Sequence, residues 1–199
     1  NVTSRPLSLT YTPNEGKIEE EGELSPETTF QSNPPVLKGS TEGLAYSIGT
    51  ISPSTDKITI DPTTGVLSVA AHHGFKDGEK YEISVKVINE FSTEGVVFEN
   101  VFTLNAVEFI EPIANFGYTN VEEVQAVEID IQKNDNFKGD EVKYEFVDLA
   151  TELQGQLNLD LDGNITIKKG NTIPVGQYTI QVMATNTKGS ETATFTLKI

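Results

Sequence analysis

The first grouping that could do chemistry is an oxygen-rich spacing. Asn158, Asp160, Asp162 and Gly163 match the opening Asx-x-Asp-x-Asp-Gly of a loop whose alternate side chains converge on calcium. The twelfth position of such a loop supplies a bidentate glutamate, and here it is Lys169. Leu157, Leu159 and Leu161 alternate through the same stretch, so it reads as strand, turn, strand. A second run, "NDNFKGDE" from Asn134 to Glu141, lies between two strand-like segments and reads as a polar loop, in which Asp135 and Asp140 would bind calcium weakly at best. The expectation is no metal site and no cofactor.

The chain's two histidines, His72 and His73, are neighbours, and neighbours on an extended chain point to opposite sides. They read as part of an exposed polar loop, "AAHHGFKDGEK". No Gly-x-Ser-x-Gly elbow, phosphate-binding loop or His-Glu-x-x-His occurs, and there is no cysteine. Carboxylate pairs are unavoidable among 30 acidic residues, and none stands out for general acid and base work. The chain reads as non-enzymatic.

Aromatic rings are the third grouping, because a flat ring can stack on the face of a sugar. Tryptophan is absent. Most of the usable rings, among them Tyr11, Tyr46, Phe98, Phe116 and Tyr144, alternate with apolar residues and read as core. Phe75, Phe91 and Tyr118 fall in or beside predicted loops and are the candidate ligand contacts.

The elements that must position these side chains come twice. "GEKYEISVKVINEFS" (Gly78 to Ser92) and "VGQYTIQVMATNTKG" (Val175 to Gly189) both alternate apolar with polar residues, the mark of a half-buried strand. "LAYSI" answers to "VKYEF", and "ITIDPTTGVLSV" to "LNLDLDGNITI". The spacing is 98 residues from Tyr46 to Tyr144 and from Gly65 to Gly163, and 97 from Tyr81 to Tyr178. Offsets this constant indicate a tandem duplication. "FTLNA" and "FTLKI" are 93 apart, which suggests a longer hairpin loop in the first copy. Turn signals recur throughout, and the acidic run from Glu15 to Glu23 is interrupted by Gly16 and Gly22, so no helix is expected. The fold class is all-β, two tandem sandwiches: residues 1–107, a short linker 108–112, and residues 113–199.

Charge narrows the partners. A net charge of -16 spread along the chain repels phosphate backbones and excludes nucleic acid and anionic membrane surfaces. No apolar run reaches the roughly 20 residues that span a bilayer. The chain opens on Asn1, so it reads as a mature or trimmed fragment with any signal peptide or lipid anchor upstream. The sequence sets no oligomeric state.

Tyr178 follows Gly176 and precedes Ile180 at the spacing of the tyrosine corner in immunoglobulin folds, and Gly78, Tyr81 and Ile83 repeat it with one extra residue. The order "LTYTPNEGKI…SNPPVLKG…AYSI…ITIDPTTGVLSV…YEISVKVINEFS" resembles the immunoglobulin-like and cadherin-like modules of Bacteroidetes cell-surface lipoproteins associated with polysaccharide utilisation. That resemblance implies a non-enzymatic module at the extracellular face of the outer membrane, or secreted. Its role would be carbohydrate capture or adhesion, with a polysaccharide or another surface protein as partner. The alternative it implies is a structural spacer that holds another domain away from the membrane.

Overall fold

The computed structural model describes residues 3–22 and 25–199, which form two compact units, Asn1–Phe109 and Ile110–Ile199. The first contains β1 (Ser8–Thr10), β2 (Glu15–Glu19), β3 (Phe30–Gln31), β4 (Val36–Lys38), β5 (Ala45–Ser52), β6 (Ile58–Ile60), β7 (Leu67–Val69), β8 (Lys80–Asn89) and β9 (Ser92–Val107). One sheet runs β2-β9-β8-β5 with β2 parallel to β9; another runs β3-β7-β6, and β1 pairs with β4 in a two-stranded sheet. The second unit contains β10 (Val121–Glu122), β11 (Ile129–Ile131), β12 (Lys143–Val147), β13 (Leu157–Leu159), β14 (Ile165–Ile167), β15 (Gln177–Asn186) and β16 (Gly189–Lys198). Its sheets, β10-β16-β15-β12 and β11-β14-β13, repeat the first pair, again with the leading strand parallel to the last. In place of the β1–β4 ladder it has two isolated bridges, Ala114 with Lys138 and Tyr118 with Lys133.

Alternation decides what is buried. On β8, Tyr81, Ile83, Val85 and Val87 enter a core with Leu67, Phe102 and Leu104; on β15, Ile180, Val182 and Ala184 are buried, the first two among Ile165, Ile167, Phe195 and Leu197. Each such side chain contributes about 1.5–3 kcal/mol by leaving water. β2 lies in the acidic run, and within the strand Ile18 alone is buried, so alternation gives little signal. Glu23, at the end of that run, lies outside the described residues.

The hairpin turns are the same length in both copies, Glu90–Phe91 and Thr187–Lys188, which corrects the expected longer loop. The extra residues sit inside β9, in two bulges. Val87 faces Val96 while Asn89 faces Ser92, and Ile83 faces Phe102 while Val85 faces Phe98, whereas β15 and β16 pair without interruption. Gly95, at φ +88°, and Asn100, at φ +48°, supply the left-handed backbone that the bulges need. Buried Ser84 fills the second, accepting from the Asn100 N–H at 2.9 Å and donating to Glu99 at 3.0 Å.

Both copies close their entry segment alike. The Asn89 amide donates to the carbonyls of Ser4 and Ser40, and the Asn186 amide to those of Glu111 and Asp140. Each also caps its own turn, accepting from Phe91 N–H at 3.0 Å and Lys188 N–H at 2.9 Å. Tyr178 donates to the Pro174 carbonyl at 2.7 Å, a tyrosine corner, whereas Tyr81, displaced by its extra residue, donates to the Glu79 carboxylate instead.

Candidate functional site

The aspartate-rich segment is the hairpin β13–β14. Asp160 Oδ1 accepts the backbone N–H groups of Asp162 and Asn164 at 2.9 and 2.8 Å, as Asp61 Oδ1 accepts those of Thr63 and Thr64 in the first copy. Gly163, at φ +81°, completes the turn, and a Cβ there would lie 2.6 Å from the Tyr144 ring. Among the described residues no group of three or more His, Cys, Asp or Glu is placed to hold a metal ion, and no helix is long and apolar enough to cross a membrane.

His73 departs from the expected exposed loop. His72 is exposed, at 3.1 Å from Glu27, but His73 is buried at the base of the loop. Thr28 Oγ1 donates its proton to the Glu19 carbonyl, so it accepts from His73 Nε2 at 2.7 Å; His73 Nδ1 accepts the Phe75 N–H at 2.9 Å. The imidazole is therefore neutral with its proton on Nε2. Glu21 accepts both His72 and His73 N–H groups at 2.9 Å and stands 2.6 Å from Nε2. Burial pulls the Glu21 carboxyl upward, but those backbone bonds and the histidines outweigh it and hold it below the ordinary range. Burial depresses His73, against the opposing pull of Glu21 and Glu79.

That clamp decides the fate of Phe75, and the other two candidate rings are placed by their own surroundings. Phe75 is core: its ring is 3% exposed, between His73 at 4.7 Å and Tyr81 at 4.6 Å. Tyr118 is also interior, packed 5.1 Å from Phe195 with its hydroxyl donating to the Gly163 carbonyl at 2.6 Å; burial, then the neighbouring Tyr144 and Asp160, push that hydroxyl up. Tyr11 makes the same bond to Gly65 in the first copy, which marks Tyr118 as a structural tie. Both expectations of an exposed loop ring are thus corrected. Phe91, at 50% exposure, reaches solvent from the β8–β9 turn. Phe75 and Phe91 lie beyond opposite ends of β8 and form no common surface.

A different cluster lies in the second unit. Leu7 N–H donates to the Lys38 carbonyl, and Ala114 N–H to the Lys138 carbonyl, which aligns the two entry segments. On that alignment Leu9 and Leu37, paired across β1 and β4, correspond to Phe116 and Phe137. Phe116 meets Phe137 edge-on at 5.8 Å and Tyr144 at 5.8 Å. Lys133 Nζ stands 5.1 Å over the Phe137 ring and 5.7 Å from Tyr144, and donates to the Asp162 carbonyl. A shallow depression of about 420 Å³ opens beside them, lined by Gln132, Lys133, Asn134, Asp135, Phe137 and Asn164. Phe137 escaped the sequence reading because it sits in a run of amides and acids; its only signal is the leucine in the same place of the first copy.

The geometry defines a class: a tandem of two immunoglobulin-like β-sandwiches. Residues 9–107 match the family described as the third Ig-like domain of BT4661, and residues 111–199 the family of its fourth. The chain belongs to these families. It is 71% identical, over 96% of its length and with a TM-score of 0.67, to the solved structure of BT4661, described as a SusE-like surface located polysaccharide binding protein from the Bacteroides thetaiotaomicron heparin utilisation locus. The chain spans 27% of that protein. The extracellular domains 3–5 of Drosophila OTK share 10% identity over 97% of the chain and 62% of theirs, with a TM-score of 0.50, which is a likeness of fold alone. A comparison with curated proteins gave no match.

Proposed function

We propose that the chain is a pair of surface-displayed, non-enzymatic modules of a polysaccharide-capturing protein, with direct but weak contact to glycan. The observation that carries this reading is the 71% identity, over nearly the whole chain, to a surface polysaccharide-binding protein. Open depressions without tryptophan or a convergent acid and base suit holding a chain better than cutting it. Of the three rings expected to meet ligand, Phe91 keeps the exposure that contact needs. The net charge of -16 opposes a direct grip on sulfated polyanions, so uncharged glycans are the ligands of these two modules.

Native gels cast with soluble polysaccharides test this reading. Retarded migration, with the length of the polysaccharide unchanged after incubation, is the expected result, and Phe91→Ala should lessen the retardation. Migration indifferent to every polysaccharide would leave the pair as a spacer that holds a binding domain elsewhere in the protein.

A further inference from the structure

We infer that the Lys133–Phe137 depression of the second module is a subsite for an uncharged pyranose, an inference that rests on the polysaccharide reading above and gives it a location. The comparison between copies carries it. In the first module the corresponding place carries smaller side chains and a proline: buried Leu9 pairs with half-buried Leu37, Tyr46 is only 7% exposed, and Pro35 packs against Gly65, where a Cβ would come within 2.8 Å of it. In the second, Phe116 and Phe137 replace the leucines, Asp135 stands in the place of Pro35, and Tyr144, the counterpart of Tyr46, is half-buried. The first module has two leucines at this place. The wider aromatic floor and the removed proline leave a surface that the first module, built on the same strands, does without.

The chemistry of that surface fits a sugar. The half-buried edge of Phe137, with the Lys133 stem beside it, presents an apolar strip to the C–H face of a pyranose ring. Around it stand the amides of Gln132, Asn134 and Asn164, which donate and accept, the acceptor carboxylate of Asp135 and the ammonium of Lys133, a set that matches vicinal hydroxyls. Asp162 also lies nearby, its carbonyl already accepting from Lys133. The acids outnumber the single cation and disfavour a sulfate or uronate. A site this shallow, with one ring, holds its ligand weakly.

Saturation-transfer NMR on the whole chain tests this, with uncharged gluco-, galacto- and manno-configured oligosaccharides as probes and heparin oligosaccharide as the anionic arm. Phe137→Leu and Lys133→Asn restore the residues at the same place of the first module, and Asp135→Ala alters the exposed rim without touching the core. The expected result is transfer to at least one uncharged oligosaccharide that weakens roughly tenfold in each of the three variants while the thermal transition stays cooperative. Binding that survives all three but falls in Phe91→Ala would overturn the subsite and leave the polysaccharide reading standing. Binding confined to heparin would overturn the ligand class. No transfer to any probe would overturn both the subsite and the reading on which it rests.

Discussion

His73 Nε2 lies 2.6 Å from Glu21 Oε1, and the same carboxylate receives the backbone N–H of His72 and of His73, so one buried acid ties the 72–75 loop to the end of β2. Lys76 adds a bond from its ammonium to the Glu21 carbonyl at 2.5 Å. Protonating His73 Nδ1 would turn it against the Phe75 N–H that it now accepts, and would unseat Phe75 from the core.

Stability of the first module should therefore fall on acidification, in two stages. His73 is depressed below its ordinary 6.5, so the unfolded chain takes up this proton first and stability declines as pH drops below about 6.5 toward the folded value. Glu21 is depressed below 4.5, so its contribution is present above that pH and is lost as pH falls through its folded value. Melting temperatures measured from pH 8 to about pH 2 should show both declines. His73→Gln should remove the upper one and Glu21→Gln the lower; a profile unchanged by His73→Gln would refute the assignment.

The β15 strand predicts a sharp contrast between neighbours. Ile180 is fully buried, and Gln181 is half-buried on the opposite face. Ile180→Ala should cost about 2–5 kcal/mol through lost burial and a cavity, and Gln181→Ala within about 0.5 kcal/mol. Denaturant titration of both variants settles it, and equal losses would mean that the faces are exchanged.

The asparagine ties predict where the second module begins. A fragment of residues 110–199 retains Glu111, whose carbonyl accepts from Asn186; one that starts at residue 113 does not. Both fragments should melt cooperatively, the shorter one less stable by about 1–3 kcal/mol for the unmet donor and the freed end. Asn186→Ala should cost the longer fragment a similar amount and the shorter one less. Failure of the 110–199 fragment to fold would contradict two independent modules.

Calcium should leave the melting temperature unchanged at millimolar concentration, because Asp160 is committed to two backbone N–H groups and Lys169 follows β14 where a ligand would be needed. A rise reversed by chelator would show that the turn can open around the ion.

The duplication was legible because strand alternation and turn glycines survive in both copies: Gly65 and Gly163 each sit at positive φ, where a side chain would be strained. Ring exposure was not legible. Phe75 follows two histidines in a glycine-flanked loop and looks exposed until Glu21, more than fifty residues earlier, pins that loop to the core. Tyr118 precedes the short β10, and its packing on Phe195 and its bond to Gly163 show it to be an interior tie. Phe137 was hidden by its polar neighbours. For Phe75 and Tyr118 the deciding partner is distant in sequence, which local periodicity does not register. The bulges of β9 escaped for the same reason, since four added residues look alike in a loop and along a strand.

Titration calorimetry of the whole chain against uncharged polysaccharides tests the central claim, weak and direct glycan contact by the module pair. Phe91, exposed at a turn, and the depression beside Phe137 each offer a single ring and no enclosing pocket. Burial of one ring yields at most a few kcal/mol before the ordering costs of binding are subtracted. The predicted dissociation constant is about 0.1 mM or weaker, equivalent to about -5.5 kcal/mol or less favourable. Micromolar binding by this pair would contradict the account, and so would the absence of heat with every polysaccharide at concentrations that reach about 10 mM in sugar units.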